Sequence, residues 1–270
     1  MPFSGQIYYQ DAGAGRPVLF VHGWCMSSAV WALQCEEIAT EHRFLALDLR
    51  GHGKSALPAT GVEGFCGYGQ DIVCLVEALD LKDLVVVGWS MGAQALLKSY
   101  PRLKNRIAGL ALVGATPRFS AAPHFPHGLS PKEAEGMRLK VRRNLTRALD
   151  GFHRNLFVEH ELDDPVVAKQ VAELLSHVLM PSAVSAVEGL EALMEEEVLE
   201  EVALVDCPTL LVHGEQDRVC LPDASLWLEK SIPGSRRCSF AGCGHAPFLS
   251  RPGQFNHALL TFIGALHGTH

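Results

Sequence analysis

The sequence predicts an α/β protein: a mostly parallel sheet with helices on both faces and a helical insertion that caps one end. Three observations carry this. Short apolar runs alternate with segments of helical period over residues 17–113 and again over 208–266. A Leu/Val run meets a helical run at Gly88-Trp89-Ser90-Met91-Gly92. Between Arg118 and about Glu201 the strand-like runs stop, leaving helical periods, many charges and the prolines Pro126, Pro131, Pro165 and Pro181.

Taken in order, Ile7–Gln10 reads as an early edge strand, followed by a turn at Gly13-Ala14-Gly15. Pro17–Val21 is a buried strand with His22-Gly23-Trp24 at its carboxyl end. Val30–Ala39 reads as a helix with Val30, Leu33 and Ile38 inward, and Phe44–Leu47 as the next buried strand. That strand exits into Asp48-Leu49-Arg50-Gly51-His52-Gly53-Lys54-Ser55. Tyr68–Leu79 follows as a helix with Ile72, Leu75, Val76 and Leu79 at helical spacing, then the Leu84–Gly88 strand and a helix over Ala93–Tyr100. Leu110–Val113 exits into Gly114-Ala115-Thr116-Pro117. After the insertion come a strand at Pro208–Val212, His213-Gly214-Glu215-Gln216-Asp217, a helix over Ala224–Ser231, a strand at Arg237–Phe240, Gly242-Cys243-Gly244-His245 and a closing helix over Phe255–Leu266. This divides the chain into a core of residues 1–117 and 202–270 and a cap of residues 118–201. Sites in open parallel sheets lie at the carboxyl ends of the strands, so the insertion falls over the site.

Bulk properties narrow the function. The chain has 270 residues, 48% of them hydrophobic, enough for a sizeable core. Its net charge of −7 argues against a general nucleic-acid or anionic-membrane surface. No apolar run reaches the roughly 18–20 residues of a membrane span, and Met1–Asp11 lacks the basic and apolar regions of a secretory signal. The eight cysteines are scattered, with Cys74 and Cys207 in segments that read as core or its edge, so reduced thiols in the cytoplasm are expected. No histidine or cysteine spacing suggests a metal site, and no cofactor is implied.

The chemistry centres on Ser90. Gly-x-Ser-x-Gly between a strand and a helix forms a nucleophile elbow: side chains at Gly88 or Gly92 would strike the neighbouring backbone, and the serine is held exposed above the sheet. A serine hydroxyl is a weak nucleophile near neutral pH and needs a base, itself oriented by an acid. His245, in a glycine-rich loop past the last strand, is the candidate base and Asp217, just past its strand, the candidate acid. Glu215 is the second choice for the acid, and Asp206 is a weaker rival because it precedes its strand. His22, His52 and His213 compete for the base but read better as loop histidines supporting the site. The oxyanion donors are expected at the Met91 N–H, on the helix N-terminus, and at the Trp24 N–H after the first buried strand.

On a helix drawn over Glu135–Leu156, Met137, Val141, Leu145, Ala148, Leu149, Phe152 and Leu156 fall on one side, with Phe152 a wall of the acyl pocket. Lys140, Arg143, Arg147 and Arg154 form a stripe on the other. Spacing alone favours a solvated face for this stripe; docking of an acidic partner is the sharper reading.

These residues resemble those of α/β-hydrolase fold esterases along nearly the whole chain. The marks are His22-Gly23-Trp24, Asp48–Ser55, Gly88–Gly92, Gly214–Asp217 and Gly244-His245-Ala246-Pro247-Phe248. Trp24, the Gly-Trp-Ser-Met-Gly elbow and Ala115-Thr116-Pro117-Arg118-Phe119 make the chain most similar to the pimeloyl-[acyl-carrier protein] methyl ester esterases of biotin synthesis. Ala93 departs from the family, where a glycine is expected. The resemblance implies a Ser90–His245–Asp217 carboxylesterase, acting as a monomer on an acyl ester presented by acyl carrier protein. In that family the basic cap residues are thought to meet the carrier, which raises the docking reading of the stripe. A general short-chain carboxylesterase, or a non-catalytic ligand receptor on the same fold, are the alternatives.

Overall fold

The computed structural model describes residues 3–4 and 6–266. Its centre is one eight-stranded sheet built from β1 (Phe3–Ser4), β2 (Ile7–Ala12), β3 (Pro17–Val21), β4 (Arg43–Leu47), β5 (Leu84–Trp89), β6 (Ile107–Val113), β7 (Thr209–Gly214) and β8 (Arg236–Phe240). The spatial order is β1-β2-β4-β3-β5-β6-β7-β8. β1 and β2 pair antiparallel at one side, and every pairing from β4 to β8 is parallel. The expected edge strand over Ile7–Gln10 is thus second from the edge, because Phe3–Ser4 pairs outside it.

Residues 18–21, 44–47, 84–89 and 209–214 are buried throughout, as strands covered on both faces must be. The covering helices are α1 (Ala32–Ile38), α2 (Gly64–Ala78), α3 (Met91–Leu103), α9 (Pro222–Ser231), α10 (Pro247–Ser250) and α11 (Pro252–Ala265). The expected helix over Val30–Ala39 is a 3₁₀ turn at Ser28–Trp31 followed by the shorter α1. Helix α2 starts four residues before the expected Tyr68, at Gly64.

The cap lies between β6 and β7 as α4 (Pro131–Arg143), α5 (Leu145–Asn155), α6 (Pro165–Ser176), α7 (Ala183–Glu195) and α8 (Leu199–Val202). The expected single helix over Glu135–Leu156 is corrected to two. Asn144 is extended (φ −161°, ψ 96°), and its side chain accepts from the Arg147 N–H as the N-cap of α5. Helix α4 begins at a capping box in which Ser130 and Glu133 bond each other's backbone N–H. The apolar side survives the break, with Val141, Leu149, Phe152 and Leu156 buried, but Lys140, Arg143, Arg147 and Arg154 no longer share one helix face.

All eight cysteines are free thiols. Cys74, expected in core or its edge, is exposed on α2; Cys207 is half-buried. Among the described residues no helix is long and apolar enough to cross a membrane.

Candidate active site

Strand β5 delivers Ser90 to the carboxyl end of the sheet, and α3 starts at the next residue. Ser90 has φ 55° and ψ −122°, a backbone state costing about 1–3 kcal/mol for a side-chain-bearing residue. Two close approaches enforce it. A Cβ on Gly88 would lie 2.8 Å from the Ala93 Cα, and one on Gly92 would lie 2.4 Å from the His22 carbonyl oxygen. The Ser90 N–H is tied to the Val113 carbonyl at 2.9 Å. Only 7% of Ser90 is exposed.

Two loops converge on it. His245, after β8, turns Nδ1 to Asp217 Oδ2 at 2.7 Å, with both side chains buried. The carboxylate holds the proton on Nδ1 and leaves Nε2 as the basic nitrogen; Nε2 is buried and has no hydrogen-bond partner among the described residues. Asp217 follows β7, and its Oδ1 accepts the Val219 and Cys220 N–H groups at 2.8 and 3.0 Å. The sequence bends around its own carboxylate, as aspartate does in turns. Burial acts to raise the Asp217 pKa, but His245 and His213 outweigh it and hold the carboxyl below its ordinary range. His213 Nε2 donates to the Cys220 carbonyl at 2.8 Å and stands 3.3 Å from Asp217 Oδ2. The Cys220 thiol neighbours the Ser90 side chain, and burial pushes its pKa well up, so it stays protonated.

The other candidates separate clearly. Glu215 is exposed. Asp206 precedes β7 at the opposite end of the sheet, where its carboxylate accepts from Tyr100 at 2.6 Å. His22 and His52 are buried side by side with ring centroids 5.3 Å apart. His22 Nδ1 donates to the Gly23 carbonyl and Nε2 accepts the Leu49 N–H. Burial lowers the His22 pKa to about 4. Burial and then the neighbouring His22 lower that of His52 to about 3. Both are neutral near pH 7 and brace the loops after β3 and β4.

Met91 opens α3 directly after Ser90, so its N–H lacks an intrahelical acceptor. The loop carrying Trp24 runs along the other side: a Cβ on Gly23 would sit 3.3 Å from Ser90 Cβ. The Trp24 indole donates to the Ala186 carbonyl in α7 at 2.9 Å, and its ring meets Phe152 edge-on at 5.1 Å. Trp24 and Phe152 line a cavity of about 400 Å³, walled on the cap side by Met137, Val141 and Ala148. Lys140 and Arg147 reach this cavity; Arg154 lines a separate cavity beside α6, and Arg143 is exposed at the end of α4. A further cavity of about 500 Å³, lined by Asp206, Arg236 and Phe262, lies away from Ser90 at the other end of the sheet.

Three contributors were absent from the sequence reading. Trp89, inside the elbow, donates its indole N–H to the His245 carbonyl at 3.0 Å. Arg218, next to Asp217, lines the cavity opposite Lys140 and Arg147. Glu161 reaches from the cap to the His245 loop. Trp89 lies within the elbow motif, where its indole had no role assigned, and Arg218 adjoins Asp217; nothing in the sequence marks Glu161.

Comparison with known proteins agrees with this architecture. The model of the alpha/beta hydrolase fold family matches residues 16–252. A pimeloyl-[acyl-carrier protein] methyl ester esterase of Nitrosospira multiformis is 27% identical over 258 residues, covering 95% of this chain and 97% of the relative. A non-heme haloperoxidase of Rhodococcus erythropolis is 28% identical over 273 residues, covering 97% and 99%. The solved esterase from Exiguobacterium antarcticum superposes with a TM-score of 0.87 at 27% identity, covering 96% of this chain and 95% of its own. With a family match spanning β3 to β8, the elbow and both loops that meet at it, the chain belongs to the α/β hydrolase fold family.

Proposed function

We propose that the chain hydrolyses a carboxylic ester, with Ser90 as nucleophile, His245 as base, Asp217 as the acid that orients it, and the acyl group seated under the cap. The observation that carries this reading is the buried Asp217–His245 pair, with Nε2 unpartnered, beside a serine on a strained elbow. Ser90 Oγ attacks the ester carbonyl carbon and its proton passes to His245 Nε2. The carbonyl π pair moves onto oxygen, and the Met91 and Trp24 N–H groups hold that oxyanion. One such donor is typically worth about 3–4 kcal/mol in the transition state. Collapse expels the alcohol, which takes the proton from His245. Water, deprotonated by the same nitrogen, then attacks the acyl-serine; collapse releases the acid, and the departing Ser90 Oγ takes the proton back from His245. Asp217 stabilises the imidazolium in both halves. No step calls on a metal or cofactor.

The breadth of the relatives and a cavity of about 400 Å³ favour a general carboxylesterase for acyl groups of modest length. One observation favours a narrower second reading. Lys140, Arg147 and Arg218 line the cavity together with one carboxylate, Glu133, and none of the three cations makes an ion pair among the described residues. On a protein of net charge −7 they suit an acyl ester brought by an acidic acyl carrier protein, such as the methyl ester of the pimeloyl group in biotin synthesis. Free thiols fit a reducing cytoplasm, and the site is complete within one chain, as a monomer requires.

Ser90→Ala is the direct test. The purified variant should keep its fold and lose several powers of ten in turnover of an activated ester. Near-normal turnover removes Ser90 from the nucleophile role. Failure of a serine-directed phosphonate to label Ser90 in the unaltered protein points instead to a ligand receptor. A methyl ester supplied free and on carrier protein separates the two substrate readings.

A further inference from the structure

We infer that Glu161 is a positioning residue: from the cap it holds the loop that carries His245, so the cap sets the seat of the imidazole. This rests on the reading of His245 as the base.

Glu161 lies between α5 and α6, remote in sequence from the core loops, yet it is only 3% exposed. Oε2 of its carboxylate accepts the Gly244 N–H at 2.8 Å and the Val158 N–H at 2.9 Å. Oε1 accepts the Ser250 hydroxyl at 2.5 Å. Gly244 precedes His245, and Ser250 ends α10, which follows it. The same cap segment contributes main-chain contacts. The His245 N–H donates to the Leu156 carbonyl at 2.7 Å, and Arg251 donates to the Glu161 carbonyl at 3.1 Å. Gly244 packs so closely that a Cβ there would stand 2.6 Å from the Leu156 carbonyl oxygen.

A buried carboxylate is retained only where its lone pairs are satisfied, and here three donors satisfy it. Two of those donors bracket His245. From the core side the histidine is held by Asp217 at Nδ1 and by Trp89 at its carbonyl. From the cap side it is held by Leu156 directly and by Glu161 through Gly244 before it and Ser250 at the end of α10. A shift of the segment 156–161 therefore moves Nε2 relative to Ser90. Misplacing a reacting group by about 1 Å costs on the order of a hundredfold in rate. Cap movement and base placement are in this way one event.

The test compares Glu161→Ala, Glu161→Gln and Ser250→Ala with the unaltered chain on a small activated ester, with kcat corrected for the folded fraction from near-ultraviolet circular dichroism. Three readouts are taken: kcat against KM, the acid limb of the kcat/KM pH profile, and the low-field proton resonance of His245 Hδ1. Glu161→Ala should lower kcat about tenfold to a hundredfold. KM should stay within about twofold, because the small ester does not touch Glu161. The acid limb and the resonance should both move. Glu161→Gln, whose amide oxygen still accepts the Gly244 N–H, should recover most of kcat. Ser250→Ala should show a smaller loss, and combining it with Glu161→Ala should be less than additive, since both remove one contact. A folded Glu161→Ala protein with unchanged kcat and an unmoved resonance overturns the inference, as does a loss that vanishes on correction for the folded fraction. If Glu161→Ala does not fold, the resonance in Ser250→Ala decides: movement supports the inference and its absence overturns it. His245→Ala, run alongside, separates the two ideas. Activity retained there defeats the base assignment; activity lost there but kept in Glu161→Ala defeats only the positioning role.

Discussion

Asp217 and His245 show how burial and pairing act together on single residues. Removing a carboxylate from water disfavours its charge, yet Asp217 stays ionised because two imidazoles face one oxygen and two backbone N–H groups face the other. That arrangement dictates which nitrogen of His245 carries the proton. Asp217→Asn keeps the shape but offers an N–H where Nδ1–H needs an acceptor, favouring the wrong tautomer. Turnover should fall by up to ~10⁴, whereas Glu215→Gln should change it little, because Glu215 is exposed. Full activity in Asp217→Asn with loss in Glu215→Gln would transfer the role to Glu215. The sequence narrowed the acid to Asp217, Glu215 and Asp206; the fold separates them by turning Asp217 inward, Glu215 to solvent and Asp206 to Tyr100 at the opposite end of the sheet.

At the scale of elements, the elbow and the cap contribute differently. The elbow is locally written: Gly88, Gly92 and the buried run of β5 force the same turn in any context that keeps the sheet. A Cβ on Gly88 would strike backbone atoms of Ala93 and Gly92, so the approach is the same whether residue 93 is alanine or the expected glycine. The cap depends on how α4 and α5 meet at Asn144, which places Lys140 and Arg147 on the cavity and sends Arg143 and Arg154 elsewhere. If the cations receive an acidic carrier, Lys140→Glu with Arg147→Glu should raise KM for a carrier-bound methyl ester much more than for a small free ester. Added salt should weaken the carrier-bound reaction of the unaltered chain, since exposed charges are screened over about 8–10 Å near physiological ionic strength. Phe152→Ala, which removes a cavity wall beside Trp24, should harm long acyl esters more than acetates. Equal losses on all esters in the charge-reversed chain would reduce the cations to a support of the fold.

For the whole molecule, the buried histidines link stability to pH. His22 and His52 have pKa values near 4 and 3 in the fold, against 6.5 for an ordinary histidine. The unfolded chain therefore binds protons at a higher pH than the folded one. Their neutral burial is fully compatible with the fold above about pH 6.5, and stability is lost as pH falls from there toward 4. Each contributes a slope of up to about 1.4 kcal/mol per pH unit within its window. Asp217, with its pKa lowered below 3.8, adds a loss only at still lower pH. Thermal midpoints should fall steadily between pH 6.5 and 4.5, and His52→Asn should make that dependence shallower. A midpoint independent of pH over this range would show that these histidines titrate normally.

What the sequence determined alone is what local sterics and periodicity enforce. Continuous apolar strands separated by helical periods permit little besides a covered parallel sheet, so the α/β class and the insertion after β6 were legible in the pattern, while the hydrolase fold and its elbow at Ser90 were legible through the resemblance of the motifs. Asp217 and His245 stood out as candidates because each lies in the loop just past a recognisable strand, and the fold pairs their side chains. Tertiary structure decided whatever depends on residues distant in the chain arriving together. Asn144 breaks the cap helix because its extended backbone caps α5, an outcome that helical spacing does not register. The His245 loop is held by Trp89 from β5 and by Leu156 and Glu161 from the cap, over separations of 156, 89 and 83 residues. A glutamate in a charged insertion looks like any solvated carboxylate until folding removes its water and supplies three donors in its place.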